Sequence, residues 1–250
     1  MKVGRSLQEV LMELQRQNQA KKDYIAPAQS MRLEKDGRTF QMGEQAPFAT
    51  TQLFHRQLAS TLAIPAKYYD LMQKEKPELL AENVNVWLDT RQSNYMMDYG
   101  AGPVARALLS ERYRRIDNME IASAVLPLFA GNDGYSVESC EVTENRLYLK
   151  ILNKRLEMEV RKGDIVQAGV IISNSEVGLG AVSVQPLVYR LVCTNGLIID
   201  DFGERRNHVG RQAKMAEDFT LYSDETLKAE DKAFMLKLRD TTMAAIEESR

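Results

Sequence analysis

Leu7, Val10, Leu11 and Leu14 recur at three- and four-residue intervals behind Ser6. That spacing gathers four apolar side chains on one face of a helix over residues 6–20. Ser6 stands at the N-cap with Glu9 at the capping-box position, and the polar run Gln15 to Lys22 makes the far end solvated. Two short runs, Ser30–Lys35 and Arg38–Met42, flank Asp36-Gly37, a dipeptide suited to a two-residue hairpin turn. Helical spacing returns behind Thr50-Thr51 with Leu53, Phe54, Leu58 and Leu62. Pro65 and Pro77 each open a further helix, because proline suits a first helical turn. The second of these carries Leu79, Leu80, Val84 and Trp87, and Trp87 reads as a core anchor.

Beyond Thr90 the period shortens. Tyr95–Tyr99 and Ala105–Leu109 predict strands around Gly100-Ala101-Gly102-Pro103. Asp117 or Asn118 caps a helix running to about Ala130, and Gly131 and Gly134 end it. Tyr135–Thr143 and Arg146–Leu152 read as strands joined at Glu144-Asn145, and Leu156–Arg161 alternates apolar and charged residues as a half-buried strand does. Lys162-Gly163-Asp164 then turns the chain into Ile165–Ser173. Ala181–Gln185 is a further strand, Pro186 starts a short helix Leu187–Cys193 with Asn195-Gly196 as its C-cap, and Leu197–Asp200 is a last strand. Residues 203–214 form a basic connector. Asp224 caps a long C-terminal helix whose apolar face is Leu227, Phe234, Leu238, Met243 and Ile246. The chain ends inside this pattern without a stop signal, as expected of a chain truncated from a longer protein or docked at its end on a neighbour.

The pattern predicts an α+β fold: a helical N-terminal region plus one mainly antiparallel β-meander sheet packed with helices, and a long C-terminal helix. The expected divisions are an N-terminal helix and hairpin over 1–44, a helical subregion over 45–92, an α+β core over 93–214 and the C-terminal helix over 215–250.

Composition adds limits. The 250 residues are ordinary for a globular protein, with no apolar run near the roughly 18 residues of a membrane span and no signal-peptide core. A cytoplasmic location without membrane contact is expected. Cys140 and Cys193 are too few for a disulfide framework or a zinc site, and His55 and His208 too few for a multi-histidine metal site. The net charge is −2, but residues 215–250 hold nine acids against five bases, so residues 1–214 net about +2.

Three basic clusters carry the candidate chemistry. Arg112, Arg114 and Arg115 surround Tyr113 and Ile116; in a strand Arg112 and Arg114 share one face, with Tyr113 and Arg115 on the other. Arginines beside an aromatic suit a phosphate backbone with a stacked base, although Glu111, Asp117 and Glu120 are available to pair with them. Arg146, Lys150, Lys154, Arg155, Arg161 and Lys162 lie on the meander, where only Glu157 and Glu159 oppose them. On a regular strand Arg146, Tyr148 and Lys150 share a face, either as a binding groove or as a solvated surface. Arg205, Arg206, Arg211 and Lys214, with His208 between them, have no acid within Arg205–Lys214. Such a loop neutralises phosphates without reading sequence, or pairs with the acidic C-terminal helix.

Other constellations are weaker. The loop Ser173–Gly180 has no P-loop spacing and lacks the third glycine of a dinucleotide fingerprint, so it reads as a tight structural turn at a sheet edge. Cys193 sits in an apolar segment and reads as an inert buried thiol. Glu138, Glu141 and Lys150 have no spacing that singles them out as a metal-nuclease set. No catalytic constellation is expected, and no cofactor. Arg190, the sole charge in Pro186–Gly196, is the one candidate within that apolar segment.

Longer stretches carry a resemblance. Leu109-Ser110-Glu111-Arg112-Tyr113-Arg114-Arg115-Ile116-Asp117-Asn118, the run Gln167 to Gly178 (QAGVIISNSEVG), the run Pro186 to Gly196 (PLVYRLVCTNG) and Asn207-His208-Val209-Gly210-Arg211 resemble the phage- and plasmid-borne proteins grouped under domain of unknown function 932, over roughly residues 45–250. That resemblance implies a mobile-element protein of the bacterial cytosol. The order helix, antiparallel strands with glycine-bearing ends, then helix is similar to the core of phage single-strand annealing proteins of the Red-beta, RecT and Erf types. This second resemblance implies a ring- or filament-forming homo-oligomer that holds single-stranded DNA in a basic groove without nucleotide or catalytic metal. The three clusters would then contact phosphate, with Tyr113 or Tyr148 stacking on bases. The alternative expectation is a non-enzymatic protein that binds a host or phage protein through the helical region 50–90; a third is an enzyme with Ser173–Gly180 around a nucleotide.

Overall fold

A computed structural model describes residues 7–99, 104–111, 113, 116–129, 134–143, 145–161, 164–190, 196–198, 204–206 and 224–248. The chain is α+β and divides into two compact units, one of Met1–Gln15 with Arg114–Arg250 and one of Arg16–Tyr113. Each unit has its own mainly antiparallel sheet, where the sequence pattern predicts only one. Helix α1 (Leu7–Ala20) follows the predicted span and sends Val10 and Leu14 into the core of the first unit.

The unit Arg16–Tyr113 is built from β1 (Lys22–Pro27), β2 (Met31–Leu33), β3 (Thr39–Met42), β4 (Phe48–Thr50), α2 (Gln52–Thr61), α3 (Ala66–Glu75), α4 (Pro77–Asp89), β5 (Asn94–Tyr99) and β6 (Val104–Ser110). Its sheet runs β1-β5-β6-β4-β3-β2, antiparallel except for the β4–β6 pair. Strand β1 has no counterpart in the sequence reading: its apolar run, Tyr24-Ile25-Ala26, is too short to show a period, and the strand is held by pairing with β5 and by Tyr24 and Ala26 against the core. The Asp36-Gly37 hairpin forms between β2 and β3 but is wider than two residues. Gly37 N–H donates to the Glu34 carbonyl and Glu34 N–H to the Thr39 carbonyl, with Gly37 at φ +64. Asp36 Oδ1 accepts from the Arg38 and Thr39 backbone N–H groups at 2.8 Å each. Burial works against its charge, but these bonds and the Thr39 hydroxyl outweigh it and hold the carboxyl below its ordinary range.

The core of this unit joins Met31, Leu33, Phe40 and Met42 from the sheet to Phe54, Leu58, Tyr69, Leu80, Val84 and Leu88 from the helices. Trp87 is not among them. It is 50% exposed, contrary to its reading as a core anchor: one heptad from Leu80, it lies at the margin of the face that buries Leu80, Val84 and Leu88. The outer edge of β2 is closed by a side chain: Leu33 N–H donates to Asn85 Oδ1 at 2.8 Å and Asn85 Nδ2 donates to the Leu33 carbonyl at 3.0 Å. Helix α4 thereby supplies the hydrogen bonds of a missing strand.

Inside this unit His55 is 4% exposed and bonded at both ring nitrogens, to the Thr50 hydroxyl at 2.7 Å and the Tyr69 hydroxyl at 2.8 Å. The Thr50 hydroxyl donates to the Arg38 carbonyl. It therefore accepts from His55 Nε2–H, and Nδ1 accepts from Tyr69. Every member is satisfied only when the imidazole is neutral. Burial pushes the His55 pKa down to about 4 and raises that of the Tyr69 hydroxyl.

The other unit contains α5 (Asn118–Val125), β7 (Tyr135–Val142), β8 (Leu147–Arg161), β9 (Asp164–Asn174), β10 (Val182–Arg190), β11 (Gly196–Ile198), β12 (Glu204–Arg206) and α6 (Asp224–Glu248). Strands run β11-β10-β9-β8-β7, and β12 also pairs with β10. Leu147, Leu149 and Ile151 of β8, Val170 and Ile172 of β9, and Val182 and Val184 of β10 pack with Val10, Leu14, Ile121, Val125, Phe234 and Leu238 of the helices. Gly169 sits where no side chain fits: a Cβ there would lie 2.4 Å from the Ile151 carbonyl oxygen.

Several expected elements differ. The segments Arg146–Leu152 and Leu156–Arg161 are one strand, β8, interrupted by an irregular register between Asn153 and Glu157, where Asn153 Oδ1 accepts from Arg155 N–H at 3.0 Å. The helix from Asp117 is shorter than predicted, passing into a 3₁₀ turn at Leu126–Leu128 around Pro127. The predicted helix Leu187–Cys193 is not formed: residues 182–190 are the continuous strand β10, so Arg190 lies on a strand. Pro186 falls between the stretch of β10 paired with β12 (182–184) and the stretch paired with β11 (187–189). A residue without an N–H is tolerated at such a gap in pairing. Part of the basic connector, Glu204–Arg206, is a strand.

Candidate nucleic-acid interface

The apolar positions of β8 decide which way its bases face. Leu147, Leu149 and Ile151 are buried beneath the helices, so Arg146, Tyr148 and Lys150 take the opposite face. Tyr148 and Lys150 are half-buried and Arg146 is exposed. Register carries this face across the sheet. Tyr148 lies opposite Ser173, Ser173 opposite Ser183, and Ser183 opposite Arg205. The next row is Lys150, Ile171 and Gln185. At the usual spacing between strands the first row spans about 14 Å, and the two rows stand about 7 Å apart. A small apolar pair, Leu152 and Leu187, bounds the face beyond them.

The polar groups on this face are tied to one another. Ser173 and Ser183 share a hydrogen bond of 2.8 Å across β9 and β10. Arg146 donates through Nη1 to the Tyr148 hydroxyl at 2.7 Å and through Nη2 to the Leu179 carbonyl at 2.6 Å. The guanidinium therefore fixes both the ring and the loop after β9.

That loop bonds its side chains to Ile116, Asn118 and Asn145 and to its own backbone, and leaves Asn174 Oδ1 buried without a hydrogen-bond partner. Asn174 Nδ2 donates to the Ile116 carbonyl at 2.9 Å and to Asn118 Oδ1 at 2.7 Å. Ser175 Oγ donates to the Asn145 carbonyl at 2.8 Å and accepts from Leu179 N–H at 3.1 Å. Glu176 Oε1 accepts from Asn118 N–H at the start of α5 at 2.8 Å, where a carboxylate meets the positive helix end. All three side chains are buried. Gly178, at φ +81, makes the turn. The loop is a structural turn that anchors α5.

Of the sequence candidates, Arg146, Lys150, Lys154 and Arg155 on β8, Arg190 at the end of β10, and Arg205 and Arg206 on β12 belong to one sheet. Lys154 and Arg155 are exposed at the irregularity, with Lys154 N–H donating to the Gly134 carbonyl at 2.7 Å. Tyr113 belongs to the other unit. It is half-buried, and its N–H donates to the Ser110 carbonyl at 2.9 Å, a turn that ends the strand alternation before it reaches Tyr113. Arg112, Arg114, Arg115, Lys162, His208, Arg211 and Lys214 lie outside the described residues. Ser183 and Gln185 join the face without having been singled out by sequence, and Ser173, read as the start of the Ser173–Gly180 loop, joins it from β9. Alternation in Val182-Ser183-Val184-Gln185 was the available signal.

Among the described residues no helix is long and apolar enough to cross a membrane, and no group of three His, Cys, Asp or Glu side chains is placed to hold a metal ion. No curated protein and no solved structure matches the chain. A family model described as "Domain of unknown function (DUF932)" matches residues 106–241, from β6 to within α6. The match takes in every strand of the β7–β12 sheet that carries the open face, and the chain belongs to the DUF932 family.

Proposed function

We propose that this protein binds single-stranded DNA through the open face of the β7–β12 sheet and acts, as a homo-oligomer, in recombination or strand annealing on a mobile element. One observation supports the reading above others: Arg146 and Lys150 of β8 and Arg205 of β12, distant in sequence, stand at positions on the helix-free rows of a single sheet that also bear Tyr148, whereas Arg206 and Arg190 are in register with Val182 and Val166 on the other side. A basic sheet face with an aromatic ring suits a single strand, whose bases are free to stack while its phosphates meet cations. Arg146 would act by holding Tyr148 in place rather than only by charge.

The test is a gel shift with single-stranded oligonucleotides at rising salt. Binding at low salt that weakens steadily with salt is the expected result. The combined variant Arg205→Ala/Arg206→Ala/Arg211→Ala is expected to weaken it further. Absence of binding at low salt overturns the function. Binding unaltered in the variant overturns the site.

A further inference from the structure

The ring of Tyr148 and the turn after β9 are held by one side chain. Arg146 Nη1 donates to the Tyr148 hydroxyl at 2.7 Å and Nη2 to the Leu179 carbonyl at 2.6 Å, so one planar guanidinium fixes an aromatic ring and a turn beside each other. Gly180 lies against the same group: a Cβ there would stand 3.8 Å from Nη2. The turn is tied a second time. Leu179 N–H donates to Ser175 Oγ at 3.1 Å, and Ser175 donates to the carbonyl of Asn145, the neighbour of Arg146, at 2.8 Å. The Leu179 side chain is nevertheless 38% exposed, between two exposed glycines that have no side chain to cover it. A rigid turn thus displays a leucine next to a rigid ring. Both acceptors of Arg146 are neutral, and among the described residues no carboxylate is paired with it.

On the reading that the open face binds single-stranded DNA, we propose that Tyr148 and Leu179 are the two walls of a clamp that takes one unstacked nucleobase. Arg146 is its positioning residue, and the charge it retains meets the phosphate beside that base. A base has the matching chemistry: a flat apolar face for the ring and the leucine, and a polar edge for the sheet, where the row continues in Ser173 and Ser183. These two hydroxyls share one hydrogen bond, which uses one of their two protons, so the other remains to donate to a base edge. The phosphate is directed to Arg146 and away from β7, where Glu141 stands in register with Tyr148. A clamp this fixed does not move to meet a stacked strand; the strand gives up a base to it. Leaving the stack costs most among adjacent purines and least among thymines, so the site selects pyrimidine-rich single strands.

Fluorescence anisotropy of the full chain with three labelled strands of equal length and phosphate count tests this: oligothymidine, oligodeoxyadenosine and a strand of abasic sites. Oligothymidine is expected to bind about tenfold tighter than either of the others, with a similar dependence on salt for all three because the phosphates are the same. Leu179→Ser and Arg146→Lys are each expected to remove most of that preference, and Leu179→Met, which keeps an apolar wall, to retain it. Arg146→Lys preserves the charge and the salt dependence, but an ammonium does not bridge two fixed acceptors as a guanidinium fork does. Both positions are exposed. Equal affinity for the three strands, with binding that still weakens with salt, overturns the clamp and leaves the open face as a phosphate surface. So does a preference that Leu179→Ser and Arg146→Lys both leave intact. No binding of any strand at low salt overturns the single-strand reading, and the clamp with it.

Discussion

The two units each pack helices against a sheet, and they differ in what the sheet and helices leave in the open. In Arg16–Tyr113 the polar groups that leave solvent close into complete networks: Asn85 seals the edge of β2, and Thr50, His55 and Tyr69 satisfy one another in the core. This unit also leaves large apolar side chains outside, with Tyr68, Leu71, Leu79, Val86 and Trp87 exposed on α3 and α4. The other unit buries polar groups at Asn118, Asn174 and Glu176 as well, but sets a further polar row in the open. Its helices cover one face of the sheet, and the second face carries tyrosine, lysine, serines and glutamine in register. The family model covers every strand of this second sheet and only residues 106–113 of the unit Arg16–Tyr113.

The contrast is broken most severely at Gly169. Gly169→Val drives a side chain into the Ile151 carbonyl and is expected to cost about 3 kcal/mol or more, the range of severe overpacking. Chemical denaturation should show loss of the β7–β12 unit, with the unit Arg16–Tyr113 still cooperative.

Acid should act on the opposite unit. The folded His55 pKa of about 4 lies below its ordinary 6.5, so the native state binds fewer protons than the unfolded chain between those values. The neutral ring's contribution is therefore complete above pH 6.5 and is lost as pH falls toward 4. Its size is about 3 kcal/mol at most. Thermal unfolding of the wild type against Tyr69→Phe between pH 7 and 4 checks the sign. Tyr69→Phe strips the donor from His55 Nδ1, lowers stability by about 1–2 kcal/mol at pH 7 and flattens the pH dependence.

Asn85→Leu reopens the β2 edge and is expected to cost about 1–2 kcal/mol, read as a shift in the denaturant midpoint. Trp87→Ala should change stability by only about 0.5 kcal/mol, as at other exposed positions. A large loss at Trp87 would return it to the core.

Strong periodicity made much of this fold legible. The helices over 52–89, the hairpin at Asp36-Gly37 and the long terminal helix from Asp224 all follow their apolar spacing. Elements set by tertiary pairing were harder to read: the apolar run of β1, Tyr24-Ile25-Ala26, is too short to show a period, and Pro186 resembles a helix start because nothing local tells a gap between two partner strands from a first helical turn. The open face was half legible. Alternation put Arg146, Tyr148 and Lys150 together, but only register across four strands adds Ser173, Ser183 and the position of Arg205. Asn174 and Glu176 are bonded by Asn118 and Ile116, far away in sequence, and Ser175 by Asn145, so the Gly-bearing loop gave no sign of where its polar groups are engaged.

The account turns on whether the open sheet face meets phosphate and base. Fluorescence anisotropy of a labelled single-stranded oligonucleotide, titrated at several salt concentrations, measures this directly. For the wild type the logarithm of affinity should fall linearly with the logarithm of salt. Lys150→Ala should reduce that slope by about 0.7, one phosphate contact on a single strand. Tyr148→Ala should weaken binding by about 1–3 kcal/mol with the slope unchanged. Affinity that does not respond to salt, or both variants binding as the wild type does, would contradict the account.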